Sequence, residues 1–172
     1  MRKLNQIMLF LMIVSLVSFS SCSSDDNNDN SNDGGDEFLR ASVDGVNFVA
    51  AQDPAVIVGA QNTNGILAVQ GGTNNGDTIN FVIQGYSGIG TYLLADDISN
   101  SNLAQYLEIN PAPTTWLSNG ITALLGAINE GVIEITLDDG TSVEGTFSFE
   151  GYNGSDMTVK VVTNGEFKAK FD

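Results

Sequence analysis

Ser142-Val143-Glu144-Gly145-Thr146-Phe147-Ser148-Phe149-Glu150 is the stretch whose reading decides the fold. Val143, Gly145, Phe147 and Phe149 fall on one side; Glu144, Thr146, Ser148 and Glu150 fall on the other. Successive side chains of a strand point to opposite faces, so a period of two marks a strand with one buried and one wet face. Upstream, Ile133, Ile135 and Leu137 point inward, Glu134 and Thr136 point outward, and Asp138-Asp139-Gly140-Thr141 supplies the turn between the two strands. Downstream, beyond Asn153-Gly154-Ser155-Asp156, the same pattern turns Met157, Val159 and Val161 inward. The last strand then sends Phe167, Ala169 and Phe171 inward and Glu166, Lys168 and Lys170 outward. Asn164-Gly165, between these two runs, poses a register problem. A two-residue hairpin there sets Phe167 against Val162, an outward position in this pattern, so a three-residue loop or a bulge is expected instead.

The N-terminal half carries the same grammar. Asp44-Gly45 is a two-residue hairpin signal, because a type I′ turn needs positive φ at both positions. Pairing about it sets Val43 against Val46 and Ala41 against Phe48, and puts Leu39, Ala41, Val43, Val46, Phe48 and Ala50 on one face. A second hairpin is expected from Ala55–Ala60 to Ile66–Gln70 around Asn62-Thr63-Asn64-Gly65. Thr73-Asn74-Asn75-Gly76-Asp77 turns into a strand over Thr78–Tyr86, with Ile79, Phe81 and Ile83 on one face. Gly90–Leu94 reads as a strand and Leu103–Ile109 as a strand or short helix. Pro111 and Pro113 then break the chain, placing Trp116 in a loop, and Ile121–Ile128 is an apolar run that suits a short helix or a strand. The expectation is an all-β domain over residues 38–172, an antiparallel β-sandwich or open barrel of about eight to ten strands.

Residues 1–21 read differently. Arg2 and Lys3 precede an apolar run from Ile7 to Phe19, then Ser20 and Ser21. A short basic stretch, an apolar core and small residues at the cut make a secretory signal peptide, too short for an ordinary membrane span. Cys22 is the single cysteine, which excludes an intramolecular disulfide. Phe19-Ser20-Ser21-Cys22 resembles the lipobox of bacterial lipoproteins, with Phe19 where leucine is usual. That resemblance implies cleavage before Cys22, a diacylglycerol on its thiol and an acyl chain on its amine, enough together for a stable anchor. Residues 22–37 carry six carboxylates and no apolar side chain beyond the cysteine, the composition of a disordered spacer. Acids just after a lipidated cysteine resemble the surface-export signal of Bacteroidetes lipoproteins, which implies an outer-membrane, cell-surface location. Asp29-x-Ser31-x-Asp33-Gly34 opens like a calcium loop, but Arg40 stands where the loop needs a bidentate glutamate.

Charge and composition exclude several functions. The whole chain has 21 acids against six bases, and no histidine. Such a surface repels polyanions, so nucleic acid is not an expected partner. Without histidine there is no Ser-His-Asp or Cys-His arrangement and no His-based zinc site. Gly85-Tyr86-Ser87-Gly88-Ile89-Gly90 lies between β runs and reads as a turn rather than a phosphate loop. No cofactor is expected. Calcium is the one ion the composition invites, and Asp96, Asp97, Asn100 and Asn102 are its candidate ligands. The amphipathic aromatics Trp116, Tyr86 and Tyr92 are the candidate ligand-binding residues, since aromatic faces suit sugar rings and peptide side chains.

Ser42-Val43-Asp44-Gly45-Val46-Asn47-Phe48, Gly90-Thr91-Tyr92, Gly131–Thr136, Glu144–Phe149 and Thr163–Phe167 together resemble a family of uncharacterised Bacteroidetes lipoproteins. The resemblance implies one all-β domain of unknown function behind a lipidated cysteine, and brings no catalytic residues. The expected function is a non-catalytic binding or structural module of the cell envelope, held to the membrane by its lipid and facing a glycan, a peptide or an envelope protein. The alternative is a carboxylate-dependent glycoside hydrolase, which needs two facing acids across a cleft.

Overall fold

The computed structural model describes residues 37–51, 58–125 and 127–171. The expected signal peptide, Cys22, the acidic stretch as far as Asp36, and the first residues of the expected second hairpin lie outside them. Among the described residues, eleven strands form one antiparallel sheet: β1 (Phe38–Val43), β2 (Val46–Val49), β3 (Gly59–Thr63), β4 (Ile66–Gly72), β5 (Thr78–Gln84), β6 (Gly90–Leu94), β7 (Leu103–Glu108), β8 (Thr114–Ser118), β9 (Gly131–Asp138), β10 (Ser142–Asn153) and β11 (Thr158–Lys170). Neighbours run β2-β1-β11-β10-β8-β7-β5-β4-β3, with β9 and then β6 branching from β10. The sheet curls into a half-barrel, and a bridge between Ala60 and Phe171 brings β3 to the end of β11.

The core fills the concave side. Phe81 of β5 meets Phe167 of β11 at 5.1 Å and Phe147 of β10 at 5.6 Å between ring centroids. Leu39, Leu67, Ile79, Ile83 and Ile133 are fully buried around these rings. A fully buried aliphatic or aromatic side chain contributes about 1.5–3 kcal/mol, so this cluster is the main support of the fold. The alternation of β9 and β10 is as expected: Ile133, Ile135, Val143, Phe147 and Phe149 are buried. The first hairpin has the expected register, Val43 opposite Val46 and Ala41 opposite Phe48, with Asp44 and Gly45 at φ 49° and 82°. Val46 shares the apolar face yet is exposed, because it flanks the turn at the mouth of the half-barrel.

Two expectations are corrected. Met157, Val159 and Val161 do not point inward; they are exposed, and Val162 is buried instead. Asn164-Gly165 makes no two-residue hairpin, and of the two expected alternatives, a three-residue loop or a bulge, the chain takes the bulge. Residues 158–170 form one long strand paired with β10 on one side and β1 on the other. The pairings Phe147 with Gly165 and Phe149 with Val162 leave an extra residue on β11, a bulge, with Asn164 at φ 52°. One extra residue reverses the parity of everything before it. Gly165 is required there: a Cβ would lie 2.5 Å from the Phe147 ring.

The second correction concerns Trp116, which sits on strand β8 rather than in a loop. Residues 103–108 are a strand, and the apolar run after β8 begins as a short helix, α1 (Gly120–Leu124). Asn119 caps α1: its Oδ1 accepts from the backbone N–H of Ile121 and Thr122, both at 3.0 Å. Thr122 Oγ1 in turn accepts the Asn119 N–H at 2.9 Å.

Candidate functional site

At one end of the half-barrel, the β1–β2 hairpin faces β7 across a groove of about 320 Å³. Its floor is aromatic. Phe48 of β2 meets Tyr106 of β7 edge-on at 6.3 Å, and Tyr106 stacks on Trp116 of β8 at 5.8 Å. These rings align because Tyr106 pairs with both Ile79 and Trp116, so all three share the inward face. Gly151 of β10 lets Trp116 approach, since a Cβ there would lie 2.8 Å from the Trp116 Cβ. Trp116 Nε1 donates to Thr158 Oγ1 at 2.8 Å, and Lys160 Nζ lies 5.3 Å from the centre of its ring. That position gives a cation–π attraction.

The rim is acidic. Asp44, Asp77 and Glu108 line the groove with Lys160. Asp44 pairs with Lys160 at 3.1 Å through Oδ2 and accepts the Val161 N–H at 2.8 Å through Oδ1. Asp77 Oδ1 accepts the Ile109 N–H at 2.9 Å, which fastens the turn before β5 to the end of β7. Tyr106 feels this rim. Burial first, then the charges of Asp77, Glu108 and Asp44, push its phenol up to about 12.

Two hydroxyls at this groove lack partners among the described residues. Tyr106 as a whole is only 7 % exposed, and its hydroxyl makes no hydrogen bond to them but opens onto the groove. Thr73 Oγ1 is buried and unpaired as well. Among the described residues the buried side-chain oxygens without a partner are Thr73 Oγ1 and Ser118 Oγ, and the first lies at the groove; an unmatched buried hydroxyl costs about 1–3 kcal/mol, so Thr73 needs an explanation.

The other expected aromatics lie at the opposite end of β5 and are satisfied by their own chain. Tyr86 donates to Asp138 Oδ2 at 2.7 Å. Tyr92 donates to the Gly88 carbonyl at 2.8 Å and accepts the Ser87 N–H at 3.1 Å. The two rings stand 5.7 Å apart, and burial with the Asp138 hydrogen bond drives the Tyr86 phenol upward. The structure therefore joins Tyr86 with Tyr92 and leaves Trp116 apart from both.

Asp96, Asp97, Asn100 and Asn102 do come together, in the loop after β6. Asn100 Nδ2 donates to Asp96 and to the Leu93 carbonyl, and Asn102 Nδ2 donates to that same carbonyl at 2.9 Å. Asn102 Oδ1 accepts the Gln84 N–H at 2.8 Å, and Asp97 Oδ1 accepts from both the backbone N–H and the hydroxyl of Ser99. The Ser99 bonds hold the Asp97 carboxyl below the usual range. Several of the oxygens a cation would use thus serve the loop itself. Among the described residues, no group of three or more His, Cys, Asp or Glu is arranged to hold a metal.

Of the expected ligand-binding aromatics only Trp116 lies near the groove, stacked on Tyr106; the groove-lining Tyr106, Asp44, Thr73, Asp77, Glu108 and Lys160 were not among the candidates. The usable signal was the pairing of Tyr106 with an apolar period; the rim has no local signature. A second hollow, of about 330 Å³, lies on β3–β5 among Ala60, Ala68, Gln61 and Asn80 and carries no titratable group.

No curated protein and no solved structure matches the chain. A family model described as a domain of unknown function, DUF6252, matches residues 36–169. That span takes in the whole groove and all but the last residue of the strands. The chain belongs to the DUF6252 family.

Proposed function

We propose that this protein is a lipid-anchored, non-catalytic binding module of the bacterial cell envelope, and that the groove between the first hairpin and β7 is its ligand site. The anchor reading rests on residues 1–37: the signal peptide, Cys22 in its lipobox-like setting and the acidic spacer, with an outer-membrane, surface-facing destination. The binding reading rests on one observation, the buried and unpartnered Thr73 Oγ1 beside the open Tyr106 hydroxyl in an acidic groove with an aromatic floor. Binding sites concentrate in barrel mouths, where an apolar floor supplies contact and a few polar groups supply direction. The negative rim selects a ligand with a positive charge.

Two measurements test this. Mass spectrometry of the native protein should find a mature chain that begins at Cys22 and carries acyl groups. An unlipidated start elsewhere removes the anchor. A thermal-shift panel of cationic, neutral and anionic small ligands should stabilise the protein with cations alone, and Glu108→Gln should weaken the effect. Equal response to anions removes the groove as a cation site. Turnover of glycoside substrates that Glu108→Gln abolishes would instead favour the hydrolase.

A further inference from the structure

We propose that the ligand is an extended basic peptide, which adds as a strand to the free edge of β2 and lowers a lysine or arginine side chain into the groove. This rests on the groove being the ligand site. β2 ends the order of strands, so its outer edge is unpaired among the described residues from Val46 to Val49, before Ala51 N–H donates to the Gly72 carbonyl at 2.8 Å. The phase of that edge is set by the hairpin. Ala50 N–H donates to the Leu39 carbonyl at 2.9 Å, beyond the pairs Val46 with Val43 and Phe48 with Ala41. In an antiparallel ladder alternate residues bond to the same neighbour. Val46, Phe48 and Ala50 therefore bond toward β1, while Asn47 and Val49 turn their N–H and C=O groups outward.

Exposed edges are usually blunted by lysine, proline or a bulge. β2 is Val46-Asn47-Phe48-Val49 and has none of these. Val46 and Val49 are 70 % and 62 % exposed along it. The other end of the sheet, β3, is bridged by Phe171 and carries no large apolar side chain. An added strand on β2 would pass beside the groove, because Val46, Asn47 and Phe48 are part of the groove wall. A cation entering from it meets Glu108 and Asp77 and the faces of Tyr106 and Phe48. Its N–H groups meet Tyr106 Oη and Thr73 Oγ1, which become acceptors. Lys160 does not fill that place, since Asp44 and the Trp116 ring hold it. Strand addition draws affinity from backbone bonds and specificity from alternate side chains, which is the combination offered here.

The test uses the full chain and a capped heptapeptide of alternating lysine and valine. Trp116 is the sole tryptophan and lies under the groove, so its fluorescence reports binding. The peptide should bind, and N-methylation of its alternate amides should weaken it at least tenfold. Val49→Pro, which removes an outward N–H, should weaken it by a similar factor while a glucosamine oligomer, cationic but without a strand edge, binds the variant as it binds the wild type. Equal affinity of the methylated peptide overturns strand addition; that arm leaves the protein unaltered and does not depend on the variant folding. Binding of the glucosamine oligomer without the peptide overturns the peptide and leaves the groove reading standing. If neither changes the fluorescence or the melting temperature, both readings fall.

Discussion

The two ends of β5 carry similar chemistry in opposite states. Beyond Gln84, Tyr86 and Tyr92 are closed on themselves, each hydroxyl spent on Asp138 or on the Gly88 turn. Before Thr78, the Tyr106 hydroxyl and Thr73 Oγ1 stand at a groove with no partner among the described residues. Both ends bury aromatic rings against acids, but one end is structural and the other is left open. Aromatic character alone therefore does not distinguish the two ends; the pairing of their hydroxyls does.

The largest expected effect is at Trp116, which belongs to both the core and the open end. Trp116→Ala should cost about 3–5 kcal/mol in denaturant unfolding, through lost packing against Tyr106 and the loss of the Thr158 bond. At the closed end, Tyr86→Phe should cost about 1.5 kcal/mol, because it removes a hydrogen bond to a charged group. Tyr106→Phe at the open end should change stability by less than about 0.5 kcal/mol, yet reduce cation binding. If the two phenylalanine variants lose equal stability, the contrast between the ends is broken.

A smaller effect is set by pH. The Tyr106 phenol stands at about 12 in the folded chain against 10.0 for an ordinary tyrosine, and Tyr86 is displaced the same way. The unfolded chain therefore loses these protons first as pH rises. Their contribution is intact below pH 10 and declines toward pH 12, so stability falls with rising pH in that window. Melting temperatures from about pH 9 to 12 should show a decline that is shallower in Tyr86→Phe and Tyr106→Phe than in the wild type.

Much of the fold was legible where the chain pairs with its own near neighbours. Turn chemistry and apolar alternation at Asp44-Gly45 agree on one register, and β9 with β10 repeats a period of two through its buried positions. At Asn164-Gly165 the apolar face excluded a two-residue hairpin, as found, but left a longer loop and a bulge equally open, because both accept a left-handed residue at one position. Whether the chain turns back or runs on there depends on β1 and β10, the strands on either side, the first of which is remote in sequence. β8 went unread for a similar reason. Two prolines precede it, and its strand character comes from pairing with β7 and a contact with β10. The groove was least legible. Asp44, Asp77, Glu108 and Lys160 lie on four separate segments, and only the curl of the sheet gathers them.

Lys160, Lys168 and Lys170 all occupy even-numbered places on one strand, so an uninterrupted β11 would send all three to the same face. The additional residue near Asn164 shifts the strand by half its repeat. Lys168 and Lys170 thus remain on the outside, the former paired with Glu144, while Lys160 is delivered onto the indole beneath the groove. A single inserted position in the backbone decides whether that mouth has a cation of its own. Shortening the strand by one residue there would leave an uncompensated acidic cup.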